Sequence, residues 1–305
     1  MRTDSAYMQI KSNGVKYRSI GGKVQRLVIK VVLHHNSISC QVHQHARTAG
    51  MNCLTYMEAN TAMRERDVLH LLPEMTSKAV AHYWSTRGSQ TTRQQGSGAS
   101  DQGQRCAVTG GAQMDGFIKL FTSLVTGTGI PERCVHTKGR VALPGYFRPT
   151  KEWDLLVVIG HTLVAAIEAK SQAGPSFGNN FNNRTEEALG SALDLWTAFR
   201  ERAFHDSPCP FLGYVFLLED CDRSNSPVRV QEPHFSVFPE FVDASYRRRY
   251  ELFCRKLVLE RHYTAAALIT SSEEHGRHGE YVVPASDLSM DRLARSFVSH
   301  LGAFA

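Results

Sequence analysis

The sequence predicts an α/β fold, a mixed central β-sheet flanked by helices. Two apolar runs, residues 153–159 and 163–170, flank Gly160-His161-Thr162 and read as paired strands. Their apolar residues do not alternate with polar ones, so both faces are covered, as in layered α/β folds. A third run of the same kind, residues 211–218, follows a long helical segment. The expected sheet therefore has at least three strands.

The elements follow in order. Residues 1–56 hold eight Lys/Arg against a single acid, Asp4, and so account for the whole net charge of +6. Apart from residues 27–33, which form at most one strand, this stretch has no sustained period. Its His34, His35, Cys40, His43 and His45 are metal-ligand types, but their spacing fits no tetrahedral zinc pattern. The expectation is a basic, poorly ordered extension, with Met57 or Met63 as alternative starts. Residues 57–305 then form one domain. Val68, Leu69, Leu71 and Leu72, followed by Met75, Ala79, His82 and Tyr83, predict two helical segments divided near Pro73. Residues 87–105 are rich in Gly, Ser, Gln and Thr and predict a loop. A helix over 114–126 carries Phe117, Ile118, Phe121 and Leu124 or Val125 on its apolar stripe and stops at Gly127-Thr-Gly-Ile-Pro131. A long helix is expected over 185–204, with Thr185 as N-cap and Glu186 and Glu187 in the first turn. A basic amphipathic helix over 245–262 and a closing helix over 287–300 complete the chain.

Composition excludes several classes. With 42% hydrophobic and 21% charged residues the chain is globular rather than mostly disordered. No apolar run approaches the ~18–20 residues of a membrane span. Seven scattered cysteines without a Cys-x-x-Cys argue against a disulfide framework and a structural zinc site. The first residues lack a secretory pattern, and a cytoplasmic protein is expected. No repeat is present, which excludes solenoids and propellers.

Chemistry concentrates in Asp154, Glu168 and Lys170. Charges inside apolar strands are costly unless compensated. Strand parity places Glu168 and Lys170 on one face and Ile167 and Ala169 on the other. If Gly160-His161-Thr162 is a three-residue loop, Ile159 faces Leu163 and Asp154 lies directly opposite Glu168. A two-residue turn would shift that register. Paired carboxylates of this kind suit Mg²⁺, and Lys170 can orient or deprotonate an attacking water beside a phosphate. Asp…Glu-x-Lys across two strands is the working part of the PD-(D/E)xK phosphodiesterases, although Trp153 stands where that motif has Pro. The bland alternative is a strand-edge ion pair between Glu168 and Lys170.

The flanking sequence narrows the choice. Tyr146-Phe-Arg-Pro-Thr-Lys-Glu-Trp-Asp154 leads into the first strand. Glu168-Ala-Lys-Ser-Gln-Ala-Gly-Pro-Ser-Phe-Gly-Asn-Asn-Phe-Asn-Asn-Arg-Thr-Glu-Glu187 leaves the second. From about Met57 onward the chain resembles the XhoI family of type II restriction endonucleases, which share a nearly identical Lys-Ser-Gln-x-Gly-Pro-Ser-Phe-Gly-Asn-Asn-Phe-Asn-Asn-Arg segment. The resemblance implies a restriction-endonuclease-like fold and a Mg²⁺-dependent homodimer that cuts double-stranded DNA at CTCGAG with 5′ overhangs. It further implies Asp154, Glu168 and Lys170 as the catalytic set. Two rival readings are a structure-specific repair or junction nuclease on the same fold and a DNA-binding protein that never cleaves.

Asn179, Asn180, Asn182, Asn183 and Arg184 are expected in a Gly-flanked loop after the catalytic strand. Their amides and guanidinium suit base edges or phosphates, or else satisfy their own backbone in Asx-turns. Lys151 and Arg148 are candidate phosphate ligands. Asp115 and Glu187 are candidates for a further metal-site carboxylate. The Arg residues along 247–261 form a solvated face or a DNA or dimer contact. Gly174-Pro-Ser-Phe-Gly178 matches the Gly-x-Ser-x-Gly of serine hydrolases, but no strand runs directly into it and a non-helical stretch is expected after it. Gly127-Thr-Gly129 has no preceding strand and no third Gly, so no nucleotide cofactor is expected.

Overall fold

The computed structural model describes residues 68–97 and 103–305. The expectations for residues 1–56, including the 27–33 strand and the His/Cys tract, lie outside the described residues.

Two long helices come first, α1 (Leu72–Ser97) and α2 (Gly103–Gly127). They cross closely at Gly116, where a Cβ would lie 2.8 Å from the Ala79 Cα. Residues 68–70 are helical, Leu71 is a turn and α1 starts at Leu72, so the chain divides beside Pro73 as expected. Pro73 sits in the first turn of α1, where its missing N–H costs nothing. The loop expected over 87–105 is helix as far as Ser97 and again from Gly103. Extending an established helix is cheap per residue, and a polar composition is only a correlate of loops.

Short strands β1 (Val135–His136), β2 (Ala142–Pro144) and β3 (Thr150–Glu152) precede the main pair, β4 (Leu155–Ile159) and β5 (Thr162–Gln172). Then follow α3 (Gly178–Arg200), β6 (Phe211–Glu219), α4 (Asp222–Asn225), α5 (Tyr246–Leu259), β7 (Ala265–Ser271), α6 (Glu273–Gly276) and α7 (Met290–Leu301). The main sheet has the order β1-β4-β5-β6-β7, and β2 and β3 form a separate hairpin. β1, β4 and β5 run antiparallel, whereas β5, β6 and β7 run parallel. The sheet is therefore mixed, as expected. β7 escapes the sequence reading because its Ala-Ala-Ala start is a poor strand signal.

Helices cover both faces. On one, Val80, Trp84, Phe117, Phe121 and Leu124 of α1 and α2 join Leu293 and Phe297 of α7 against Leu155, Val157, Ile167 and Val215. On the other, Ala188, Ala192 and Leu195 of α3 and Tyr250, Phe253 and Leu257 of α5 pack on Leu156, Ala166, Tyr214 and Phe216. Because β5, β6 and β7 are parallel, their carboxyl ends share one sheet edge, where α/β folds commonly bind ligands. β5 brings Glu168 and Lys170 to that edge.

Candidate active site

The register of β4 and β5 decides whether the carboxylates meet. The turn is two residues long, Gly160-His161, with Ile159 opposite Thr162 and Gly160 at φ +62°. Taken alone, that turn would misalign Asp154 and Glu168. A bulge between Val157 and Val158 corrects it: Val158 faces Leu163, but Val157 faces Ala165. The extra residue leaves Val164 and Ala165 both in the core of α1, α2 and α7. Leu155 then faces Ile167, and the Asp154 N–H donates to the Ile167 carbonyl at 3.2 Å. Asp154 consequently lies across from Glu168, as the three-residue loop predicted, but by a turn and a bulge in combination.

The three charges form one cluster. Lys170 Nζ lies 2.6 Å from Glu168 Oε1 and 3.4 Å from Asp154 Oδ2. Asp154 Oδ2 also accepts the Ala169 N–H at 2.8 Å, so β5 itself orients this carboxylate. Lys151 Nζ reaches Glu168 Oε2 at 2.8 Å and lies 4.6 Å from the centre of the Trp153 ring. Glu168 is buried and holds one lysine on each oxygen. Burial pushes the Asp154 carboxyl above its usual range, and the facing Glu168 adds to the push. Burial also works against the Glu168 carboxylate, but Lys170 and Lys151 outweigh it and hold that group below its usual range. Lys170 resists burial in the same way: Glu168 and Asp154 hold its ammonium above the usual value.

The donor set fits a hard divalent cation. Among the described residues the hydrogen bonds and ion pair of the Asp154 side chain all fall on Oδ2, and a cation beside both carboxylates would relieve the repulsion that raises Asp154. Mg²⁺ is commonly held by one or two carboxylates, with waters and a phosphate oxygen completing its shell. Among the described residues no cluster of three or more Asp, Glu, His or Cys is arranged to hold a metal. Asp115 pairs with Lys138 at 3.1 Å and Glu187 with Arg184 at 2.6 Å.

Comparison with known proteins bears on this geometry. Residues 93–283 match the family described as Restriction endonuclease XhoI. Type II restriction enzyme BstVI of Geobacillus stearothermophilus is 55% identical over 206 residues, covering 66% of this chain and 92% of the relative. The chain belongs to the XhoI restriction endonuclease family. Type II restriction enzyme XhoI of Xanthomonas vasicola is 51% identical over 183 residues, 59% of this chain and 73% of the relative. Type II restriction enzyme AbrI of Azospirillum brasilense is 50% identical over 159 residues, 52% of this chain and 71% of the relative. No solved structure gives a significant match.

In this XhoI-family chain the Asn-rich segment is not the expected loop. α3 begins at Gly178, so Asn179, Asn180, Asn182, Asn183 and Arg184 lie on its first two turns. The reading of 185–204 missed this because Asn is a weak helix former and the true start lacks a side-chain cap. Asn179, Asn182 and Asn183 are exposed. Asn180 donates to the Ser176 carbonyl at 2.8 Å, and Arg184 pairs with Glu187. The Gly-x-Ser-x-Gly match does precede a helix, but that helix starts two residues after Ser176 and β5 ends four residues before it.

Arg148 is tied into the fold. Its Nε donates to Asp194 Oδ2 at 2.7 Å, while the Tyr146 and Phe147 N–H groups donate to Oδ1 at 2.6 and 2.8 Å. Gly145 is needed for this approach, since a Cβ there would collide with the Asp194 carboxylate. Burial works against the Asp194 charge, but these N–H donors and Arg148 prevail and hold its carboxyl below the usual range. Asp194 and Gln172 are buried polar residues of these elements that sequence reading overlooked. A carboxylate between Ser191 and Leu195 on the buried stripe of α3 was the available signal for the first. Strand parity from Lys170 was the signal for the second.

No helix among the described residues is long and apolar enough to cross a membrane.

Proposed function

We propose that this restriction endonuclease makes Mg²⁺-dependent double-strand cuts at the palindrome CTCGAG, leaves 5′ overhangs, and works as a homodimer in the cytoplasm. The observation that carries the reading is the Asp154–Glu168 pair across two strands with Lys170 in contact with both carboxylates. Asp154 and Glu168 would hold the cation. Bound there, Mg²⁺ would supply a Lewis acid for the scissile phosphate and offset the charge that develops on it. Lys170, restrained by both carboxylates, orients the attacking water and faces the phosphate with its ammonium. Lys151 balances Glu168 from the other side, which makes it a partner of the carboxylates as well as a candidate phosphate contact. The exposed Asn179, Asn182 and Asn183 reach base edges or phosphates, with Asn180 and Arg184 beside them and Arg148 bracing the loop that leads to Asp154. A palindromic target suits a two-fold dimer, in which each subunit reads one half-site and cuts one strand.

The test is digestion of a fully sequenced, unmethylated plasmid with and without Mg²⁺. Discrete fragments ending at CTCGAG, formed only with the metal, are expected. Shape-dependent nicking without discrete fragments would point to a junction nuclease. Site binding without turnover would point to a non-cleaving protein. Either result would overturn the proposal.

A further inference from the structure

Gln172 is the last residue of β5, two positions beyond Lys170 and on the same side of the strand. It is 3% exposed, and its amide is fully used. Nε2 donates to the Ser176 carbonyl at 3.1 Å and to the Phe177 carbonyl at 2.9 Å. Oε1 accepts from the Tyr250 hydroxyl of α5. One side chain thus ties the end of the catalytic strand, the start of the Asn-rich helix and α5 together.

The segment it grips is held along its whole length. The Gly174 carbonyl accepts from Arg87 at 2.7 Å, and the Gly174 N–H donates to Glu219 Oε2 at 2.6 Å. The Pro175 carbonyl accepts from Arg223 at 2.7 Å, and the Ser176 carbonyl also takes Asn180 Nδ2. Tyr250 is fixed in turn, its ring stacked on Phe216 with centroids 4.1 Å apart and set edge-on to Phe181 at 5.0 Å. Phe181 lies between Asn180 and Asn182 on α3. Four residues with every carbonyl engaged form a stiff connection between the lysine that does chemistry and the amides that face DNA.

We propose that Gln172 is a positioning residue for sequence discrimination: it fixes the Asn-rich start of α3 relative to Lys170, so that correct DNA contacts are converted into correct placement of the scissile phosphate. This rests on the nuclease reading above. The role needs a side chain that donates to two carbonyls and accepts from a hydroxyl at once, which Gln does and Met or Glu does not. Small displacements suffice, since a 1 Å misplacement can cost about 10²-fold in rate.

The test compares wild type, Gln172→Met and Tyr250→Phe. Steady-state kcat and KM are measured on the cognate site and on sites differing by one base pair, with thermal melting of the same samples. Gln172→Met is expected to reduce discrimination, the ratio of cognate to altered-site kcat/KM, by about tenfold or more, chiefly through cognate kcat rather than KM. Tyr250→Phe keeps the ring stacking, removes only the hydroxyl, and is expected to produce a smaller fall in the same direction. Loss of activity in proportion to unfolding, with discrimination unchanged, would reduce Gln172 to a structural role and overturn the proposal. If Gln172→Met fails to fold, an unchanged ratio in Tyr250→Phe overturns it as well. Absence of discrete cleavage by wild type would reject the nuclease reading itself, whereas discrete wild-type cleavage with unaltered variant ratios rejects only the role of Gln172.

Discussion

On one side of β5, Val164, Ala165, Ile167 and Ala169 close against α1, α2 and α7 in a core without charge. On the other, Glu168 and Lys170 alternate with them, one residue apart along the same backbone, and meet Asp154 and Lys151. The first face contributes stability through burial of apolar surface. The second spends some of that stability on a desolvated charge cluster whose Asp154 is pushed toward its neutral form. A strand that alternates every residue allows both, provided that its register is held, and the bulge opposite Val157 holds it.

Substitutions on the two faces should separate the two roles. The largest effect is expected for Lys170→Ala: cognate cleavage falls by about 10³-fold, within the range typical of positioned acid–base groups, while circular dichroism shows a retained fold. A wild-type rate in that variant would break the distinction between faces. Ile167→Ala, its neighbour on the apolar side, is expected to cost about 2–5 kcal/mol in urea unfolding, with the cleavage rate per folded molecule unchanged. Asp194→Ala is expected to cost about 2–3 kcal/mol, since two backbone N–H groups and Arg148 lose a charged acceptor. The stabilisation by Asp194 comes from a depressed carboxyl. It is full above the unfolded value of about 3.9 and is lost as pH falls through the lower folded value. The stability difference between wild type and Asp194→Asn should therefore shrink below about pH 4 in acid-titrated unfolding. The smallest effect is expected for Lys151→Ala, about tenfold in cleavage rate, because Lys170 still balances Glu168.

The parts legible in the sequence were those set by strict periodicity. Parity in 163–170 places Glu168 and Lys170 together and Ile167 opposite, and the apolar runs of β4, β5 and β6 announce a covered sheet. The pairing of Asp154 with Glu168 was reached through a loop length that the protein does not use, because nothing in Val157-Val158 or Val164-Ala165 marks a bulge. The helical start of α3 was hidden by asparagines, which locally favour caps and turns until packing of Phe177 and Phe181 against Tyr246 and Tyr250 decides otherwise. β7 was hidden by alanines that become strand only between β6 and the flanking helices. Lys151 and Arg148 read from the sequence as phosphate ligands, and only three-dimensional proximity shows their carboxylate partners.

The most direct test of the two-faced strand is Glu168→Gln, which keeps size and shape but removes the charge that both lysines face. Mn²⁺ binding, followed by electron paramagnetic resonance, and cognate cleavage are measured on the same folded preparation. The account predicts a native circular dichroism spectrum, Mn²⁺ affinity well below that of wild type, and loss of cleavage. Wild-type Mn²⁺ affinity and cleavage in this variant would contradict it and place the catalytic centre elsewhere in the molecule.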